Sequence, residues 1–277
     1  MKLLPVLLLC AVTAGSAIAI AGESRPAGAL PDAVVAEGAG VVRRAWLAEP
    51  TDRYRHGILG DRIEAGALMA ELRGGRVLGL RLPETSVFED RQVRLADFNG
   101  DGTDELVVVE SSLTEGAALA VYGIREGRLQ LIARDAWIGT ANRWLNPAGI
   151  ADFDGDGALE IAVVETPHIG GTLRLLRPEG RKMTLVAERW GFSNHAIGSR
   201  DQGLSAVLDW DGDGLPDLVL PDETRGAVVV VSFAGGGIRE LHRRPLAAAV
   251  AGDFSVEGTD TVRIPLADGA ATVLRAP

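Results

Sequence analysis

The chain has 277 residues, of which 47% are hydrophobic and 24% are charged, and its formal net charge is −10. This composition excludes a disordered tail and indicates a globular protein that can bury a substantial core. The acidic balance argues against a nucleic-acid partner, because phosphate backbones bind basic surfaces. The single cysteine, Cys10, lies in the N-terminal apolar run, so the rest of the chain offers no thiol for a disulfide, a zinc ribbon or a nucleophile.

The N-terminus has the pattern of a secretory signal peptide. Lys2 precedes an apolar run over residues 3–12, and alanines follow at positions 17, 19 and 21, which predicts cleavage after Ala19 or Ala21. We therefore expect a signal peptide over residues 1–21, a periplasmic or secreted protein, and no membrane insertion after cleavage. An uncleaved anchor is the alternative, because the apolar stretch over 3–21 is just long enough to span a bilayer.

Three nonapeptides repeat along the rest of the chain. They read DFNGDGTDE at 97–105, DFDGDGALE at 152–160 and DWDGDGLPD at 209–217, and we call them the first, second and third acidic loop. Their first residues are 55 positions apart (97 to 152) and then 57 positions apart (152 to 209). A weaker copy, DFSVEGTDT, begins at Asp253. The chain therefore contains an internal repeat of about 55 residues.

Each acidic loop follows a short apolar run and precedes a β-branched run, such as ELVVVE, EIAVVE or DLVLPD. This order indicates a strand, a loop and a second strand. Two further strand-like segments follow in each unit, and no amphipathic helix is evident, so each unit predicts about four strands. Such units are typical of β-propeller blades. We expect an all-β protein with one β-propeller over residues 22–277, built from about five four-stranded blades. Four or six blades also fit the length, and a flat solenoid is the alternative.

The crowding of carboxylates in the acidic loops points to a cation, because like charges this close repel one another without one. Side chains at positions 1, 3, 5 and 9 and the carbonyl at position 7 suit an oxygen-ligated divalent cation, and glycine at position 6 permits the sharp turn. Calcium fits best, since magnesium prefers fewer protein ligands and transition metals recruit histidine. An EF-hand fits poorly, because Val108, Val163 and Leu220 stand where it needs a glutamate.

In these three loops the sequence resembles the FG-GAP and VCBS repeat proteins, and more distantly the calcium-bearing blades of the integrin α-subunit propeller. The resemblance implies calcium-binding loops in at least three blades and about three Ca²⁺ ions. The ligands it implies are Asp97, Asn99, Asp101, the Thr103 carbonyl and Glu105 in the first loop, Asp152, Asp154, Asp156, the Ala158 carbonyl and Glu160 in the second, and Asp209, Asp211, Asp213, the Leu215 carbonyl and Asp217 in the third. The copy at Asp253 matches this ligand set poorly, since it has Ser255, Glu257 and Thr261.

A second carboxylate recurs 13 residues after each loop start, at Glu110, Glu165 and Asp222. It closes the strand that leaves the loop, so we expect it at the other end of the unit. In the resembling propellers the face opposite the calcium loops commonly meets ligands. The further candidates on that face are Arg143, Trp144, His168, Asn194, His195 and Glu223. This mixture suits a sugar or a peptide segment, whereas the alternative is that the carboxylates only accept backbone hydrogen bonds in tight hairpins.

The sequence gives little support for a catalytic function, since it contains no G-x-S-x-G elbow, P-loop or Rossmann fingerprint. The sequence therefore predicts a non-catalytic binding or scaffolding module for a protein or a glycan. The alternative is a carbohydrate-active propeller, either a lectin or a glycoside hydrolase or lyase that uses carboxylates of the opposite face. Trp137, Trp144 and Trp190 could form a sugar platform or wedge between blades, and His168 with His195 could hold a metal if their loops converge.

Overall fold

The computed structural model describes residues 25–277, so the predicted signal peptide and the alternative anchor lie outside the described residues. Within this range the chain forms twenty β-strands and no helix, which confirms the all-β prediction. The described residues accordingly include no helix with the length and apolarity needed to cross a bilayer.

The strands form five consecutive antiparallel groups, numbered here in chain order. Group 1 contains β1 (Ala36–Glu37), β2 (Val42–Thr51), β3 (Glu64–Leu72) and β4 (Val77–Arg81), and β5 (Ser86–Phe88) follows it. Group 2 contains β6 (Arg94–Ala96), β7 (Glu105–Ser112), β8 (Gly116–Arg125) and β9 (Arg128–Arg134). Group 3 contains β10 (Leu145–Ala151), β11 (Glu160–Glu165), β12 (Thr172–Glu179) and β13 (Lys182–Trp190). Group 4 contains β14 (Ala206–Leu208), β15 (Asp217–Pro221), β16 (Ala227–Ser232) and β17 (Arg239–Pro245), and group 5 contains β18 (Ser255–Glu257), β19 (Thr261–Pro265) and β20 (Ala271–Arg275).

A few pairings link the groups. β5 pairs with both β3 and β7, and β9 meets β13 in one parallel pair, so groups 1 to 3 share a 13-stranded sheet while groups 4 and 5 form sheets of four and three strands. Groups 2, 3 and 4 also share one irregularity between their third and fourth strands. The register shifts there at Val121/Tyr122, Leu175/Leu176 and Val230/Val231. The repeat seen in the sequence is thus a repeat of backbone shape.

The second strand of groups 2, 3 and 4 separates two apolar layers. In β7, Val108 packs in the layer shared with group 1, whereas Val109 packs in the layer shared with group 3. In β15, Leu220 faces group 3 and Val219 faces group 5. Successive side chains of a strand point to opposite faces, and a strand buried on both faces needs a continuous apolar run. This requirement explains why the β-branched runs do not alternate with polar residues.

The segments that lead into the first strands converge on one hydrogen-bonded hub. Asp32, which precedes β1, accepts from Nε of Arg91 at 2.9 Å and from Nη1 of Arg200 at 2.8 Å. Arg91 and Arg200 precede β6 and β14, so residues from three groups meet at one carboxylate. Further bonds run from Gln202 Nε2 to Asp90 Oδ1 at 3.0 Å, from Asn146 Nδ2 to the Gln202 carbonyl at 2.9 Å, and from the Gly203 amide to Asp253 Oδ1 at 2.7 Å.

Candidate functional site

The acidic loops occupy equivalent places in three successive groups. The first joins β6 to β7, the second joins β10 to β11, and the third joins β14 to β15. In each case the ninth residue of the loop begins the second strand, at Glu105, Glu160 and Asp217. The strand–loop–strand order therefore agrees with the order predicted from the sequence.

Backbone amides fold each loop around its own carboxylates. In the third loop, Asp209 accepts the Gly212 amide at Oδ1 (2.8 Å) and the Gly214 amide at Oδ2 (3.0 Å), and Asp213 Oδ1 accepts the Leu215 amide at 2.8 Å. The corresponding residues of the other two loops make the same kind of bonds. Gly214 has a φ of 91°, which a side chain would strain. Each loop is thus preorganised by backbone bonds, which in the second and third loops use more than half of the carboxylate oxygens.

Two of the loops bring three carboxylates close enough to share one ion. Among residues 25–277, oxygen atoms of three acidic side chains lie within 4.8 Å of one another in the second loop, at Asp152, Asp154 and Glu160, and in the third loop, at Asp209, Asp211 and Asp213. The first loop has the amide side chain of Asn99 at its third position. Carboxylate and carbonyl oxygens are the ligands of hard divalent cations, so the second and third loops have the better ligand sets.

The ninth residue distinguishes the three loops. Each accepts, with one oxygen, the amide of the second loop residue, in the pairs Glu105–Phe98 at 3.1 Å, Glu160–Phe153 at 2.9 Å and Asp217–Trp210 at 2.9 Å. The other oxygen of Glu160 is bound by an arginine, and that of Glu105 by Asn99 Nδ2 at 3.1 Å. By contrast, Asp217 Oδ1 is buried and makes no hydrogen bond within residues 25–277.

Burial raises the pKa of Asp217 to about 6, and the negative charges of Asp211 and Asp213 act in the same direction. The Ser232 hydroxyl counters part of this rise but does not meet Oδ1 with hydrogen-bond geometry. A buried, unpaired carboxylate oxygen beside two further carboxylates is costly unless a cation is bound. The third loop therefore fits an oxygen-ligated cation, which the side chains of its four ligand positions and the Leu215 carbonyl would hold.

An arginine from a neighbouring strand approaches each loop, a feature that the sequence reasoning missed. In the second loop, Arg177 Nη2 lies 2.8 Å from Asp154 Oδ2 and 2.6 Å from Glu160 Oε1. In the first loop, Arg125 Nη2 lies 3.4 Å from Glu105 Oε1. In the third loop, Arg239 lies 3.7 Å from Asp211. The strand register brings these residues to the loops, and nothing in the local loop pattern encodes it.

The weaker copy at Asp253 does not form an equivalent loop. Ser255 and Glu257, which stand at its third and fifth positions, lie in β18. Asp253 itself accepts the Gly203 amide at 2.7 Å. Its carboxylate therefore serves the contact between groups 4 and 5.

The three carboxylates that recur 13 residues after each loop start have separate partners. Glu110 lies within β7, is buried, and accepts the Tyr122 hydroxyl at 3.0 Å. Glu165 ends β11 and accepts Arg174 Nη1 at 2.9 Å. Asp222 follows β15 and accepts the amides of residues 224, 226 and 227. Only Asp222 makes the backbone hydrogen bonds of a tight hairpin, whereas Glu110 and Glu165 bond to side chains of the neighbouring strand.

Two histidines and a tryptophan of the predicted opposite face do come together. His168 stacks on Trp144 with 6.3 Å between ring centroids, and His195 packs edge-on against Trp144 at 4.8 Å. His168 Nε2 lies 2.9 Å from His195 Nδ1, and His195 Nε2 lies 3.0 Å from the Ser199 carbonyl. Burial lowers the pKa of each ring to about 4, so both rings are neutral at pH 7. A carbonyl only accepts, so His195 Nε2 carries the proton and His168 Nε2 donates to His195 Nδ1.

The remaining predicted residues lie around this cluster without joining it. Asn194 is buried, and its Nδ2 donates to the Asn146 carbonyl at 3.1 Å. Arg143 is half-buried and donates to the Asn142 carbonyl at 3.4 Å. The neighbouring histidines bond to each other and to backbone, which leaves them little capacity to ligate a metal together.

A second buried polar cluster had no sequence signal. Glu89 is fully buried between His56 Nδ1 at 2.6 Å and the Ser111 hydroxyl at 2.5 Å. Burial, reinforced by the charge of Glu89, raises the pKa of Glu64 to about 9, so this carboxyl is protonated at pH 7. The long connection between β2 and β3, residues 52–63, supplies His56. Both carboxyls are sealed from solvent, so they are not available to a substrate.

The most accessible aromatic side chain lies in a groove between groups 3 and 4. Trp190, at the end of β13, is 73% exposed. The groove has a volume of about 350 Å³, and its lining comprises Arg189, Trp190, Gly191, Phe192, Asp222, Glu223 and Arg243. Of the three tryptophans predicted for a sugar platform, Trp144 is buried and Trp137 lies under the Arg134 guanidinium at 4.3 Å.

Comparison with known proteins bears on the first two acidic loops. Residues 92–163 match the family model of the FG-GAP-like repeat, a span that runs from the entry of β6 to within β11. A search among curated proteins finds no match. Over residues 92–163, which hold two acidic loops between paired strands, the chain is similar to the FG-GAP-like repeat.

Proposed function

We propose that this protein is an exported, calcium-stabilised β-propeller that acts as a non-catalytic binding module. The observation that carries the calcium assignment is Asp217 Oδ1, which is buried and makes no hydrogen bond within residues 25–277, while the charges of Asp211 and Asp213 act on the same carboxyl group. A cation at this point would neutralise the loop and satisfy that oxygen. Calcium suits the mixture of carboxylates and one carbonyl better than magnesium does, because magnesium dehydrates reluctantly and demands octahedral geometry.

An extracytoplasmic location agrees with such sites. Loops with three or four carboxylates bind calcium with Kd values from micromolar to millimolar, and even the weak end of this range suits modules outside the cell. The N-terminal sequence pattern of residues 1–21 supplies the export signal.

The grouping of strands and the hydrogen-bonded hub around Asp32 support the proposed propeller architecture. In this proposal the five antiparallel groups are five blades, and each group faces the next one in chain order across an apolar layer. Asp32, Arg91 and Arg200 precede the first strands of three groups and bond to one another, as expected where innermost strands surround a common axis. The Gly203–Asp253 bond attaches group 5 to the same region.

The groove around Trp190 is the best candidate for the ligand site. An exposed tryptophan offers a flat apolar face, and Glu223 and Arg243 offer polar groups beside it, the combination that binds sugar rings or peptide segments. Trp190 favours a glycan in particular, and a lectin is therefore the second candidate function. Glu223 reaches the same groove because its amide donates to the Gly191 carbonyl at 3.0 Å.

A hydrolase or lyase is less well supported. Glycoside hydrolysis needs two accessible carboxyl groups about 5–9.5 Å apart. Glu110 is buried with Tyr122, Glu165 is paired with Arg174, and Asp222 holds a hairpin. Carboxylates with such partners are poorly placed to transfer protons to a substrate.

Thermal unfolding tests the calcium assignment. The mature protein is unfolded in EGTA and then across a calcium titration, with magnesium as the ionic control. One site at 100 times its Kd stabilises the folded state by about 2.7 kcal/mol, or about 5–10 °C in Tm for a protein of this size. Asp213→Asn should reduce this gain, whereas Asp268→Asn, in the β19–β20 turn, should not. Equal unfolding curves in EGTA and calcium would refute the assignment.

A glycan array tests the ligand site. The wild-type protein and Trp190→Ala are compared in calcium, with Trp137→Ala as the matched control for loss of a tryptophan elsewhere. Binding that disappears only in Trp190→Ala supports a lectin. Binding that survives in Trp190→Ala would move the ligand site away from the groove.

A further inference from the structure

The three acidic loops differ in what satisfies the carboxylate oxygens that the backbone leaves free. In the second loop the backbone uses Asp154 Oδ1, Asp156 Oδ1 and Glu160 Oε2. Arg177 contacts the opposite oxygen of each, at 2.8 Å, 2.7 Å and 2.6 Å. These are the oxygens that a divalent cation in this loop would need.

The second loop therefore already contains a positive charge in contact with three carboxylates. The Arg177 side chain is only 19% exposed, and Glu160 is fully buried. Arg177 Nε also donates to Glu160 Oε1 at 2.9 Å, so the guanidinium binds this carboxylate through both Nε and Nη2. Charge-assisted bonds of this kind are the strong ones among side chains. A cation can enter the loop only by displacing them.

The third loop lacks such a group. The nearest arginine, Arg239, is 60% exposed and lies 3.7 Å from Asp211 Oδ2, beyond hydrogen-bond distance. Asp217 Oδ1, the counterpart of the Glu160 oxygen held by Arg177, has no partner within the described residues. The third loop thus needs an external cation where the second has an internal one.

We propose that Arg177 takes the place of the divalent cation in the second acidic loop, so that the third loop binds calcium at concentrations that leave the second loop without it. This inference rests on the proposed calcium binding and assigns its order. Group 3 is then held at this loop by its own arginine, and group 4 by calcium. The first loop, with Asn99 Nδ2 and Arg125 near Glu105, lies between these two cases.

The tryptophan of the third loop provides a site-specific probe. Trp210 occupies the second loop position, where the first and second loops have Phe98 and Phe153. Terbium titration with tryptophan excitation therefore reports on the third loop in the wild-type protein, and Trp210→Phe serves as the background control. The double variant Phe153→Trp/Trp210→Phe moves the probe to the second loop, and competition with calcium converts each signal into a calcium affinity.

We expect calcium to bind the second loop at least 10-fold more weakly than the third. Adding Arg177→Gln to the double variant should bring the calcium affinity of the second loop to within about threefold of that of the third. Arg239→Gln in the wild-type background should change the calcium affinity of the third loop less than threefold. Equilibrium dialysis counts the bound ions at a calcium concentration that saturates the third loop. We expect the second loop of the wild-type protein to be empty there, so Arg177→Gln should bind about one ion more than the wild-type protein.

Equal calcium affinities of the second and third loops in the presence of Arg177 would overturn the inference. An unchanged calcium affinity of the second loop in a folded Arg177→Gln protein would overturn it as well. If Arg177→Gln does not fold, the calcium affinities that the tryptophan probes report for the second and third loops in proteins with Arg177 still test the inference. Loss of the terbium signal from every loop, together with no thermal shift in calcium, would instead overturn the calcium assignment itself. A calcium-dependent Tm with equal loops would overturn only the order of binding.

Discussion

Substitution of Asp217 by asparagine should change stability in opposite directions with and without calcium. Burial and neighbouring carboxylates raise the pKa of Asp217 from its ordinary value near 3.8 to about 6. Because the pKa is raised in the folded state, the ionised carboxylate destabilises the cation-free fold above about pH 6. The rise of the pKa from 3.8 to about 6 corresponds to a loss of about 3 kcal/mol in the free energy of unfolding, which develops between pH 3.8 and 6.

Asparagine removes this charge but keeps an oxygen for the Trp210 amide, which Asp217 accepts at 2.9 Å. In EGTA at pH 7.5 we expect Asp217→Asn to be more stable than the wild-type protein by up to about 3 kcal/mol. In millimolar calcium the order should reverse, because the variant has lost an anionic ligand. Urea unfolding of both proteins in both buffers gives the four free energies.

Two outcomes would refute this reasoning. If Asp217→Asn were less stable than the wild-type protein in EGTA, the unpaired oxygen would not be a burden to the cation-free fold. If calcium stabilised the variant as strongly as the wild-type protein, Asp217 would not be a ligand. Asp268→Asn, which also removes one carboxylate, should show no reversal.

Three further predictions concern other parts of the chain. The pKa of buried His195 is lowered from 6.5 to about 4, so its contribution to stability is present above pH 6.5 and is lost as the pH falls towards 4. Urea unfolding from pH 7.5 to 5 should show a loss of about 2 kcal/mol, and His195→Gln should show a smaller loss. Leu220→Ala empties space between groups 3 and 4 and should cost about 2–5 kcal/mol in the same assay, and a loss below 1 kcal/mol would contradict the buried position of Leu220. Trp190→Ala removes a side chain that is 73% exposed and should leave the unfolding free energy within about 0.5 kcal/mol, so a larger loss would mean that Trp190 is a packing residue.

The acidic loops and their flanking strands were predictable because both signals are local. The spacing of carboxylates and glycines within nine residues sets the turn, and the apolar runs on either side are long enough to be recognised as strands. Group 1 was less visible, since no acidic loop precedes β2. The family match over residues 92–163 follows the same local pattern.

The contacts that distinguish one loop from another were not predictable, because they depend on strand register. Arg177 lies on β12, next to Leu176, which pairs with Ile161 of β11. Only this pairing brings its guanidinium to Glu160, the residue before Ile161. The burial of Trp144 and the exposure of Trp190 were unpredictable for a similar reason, since burial depends on which neighbouring segment packs over each ring.

The second strands limit where the chain tolerates insertions. Val108 and Val109 face different apolar layers, so one residue added to β7 would exchange the two faces and put each side chain into the wrong layer. The connection between β16 and β17 carries no such constraint, because its three glycines, Gly235–Gly237, have no neighbouring atoms within 4 Å of an added Cβ. A reporter peptide or a guest domain is therefore best grafted there, on group 4, where its effect on calcium binding by the third acidic loop can be read directly.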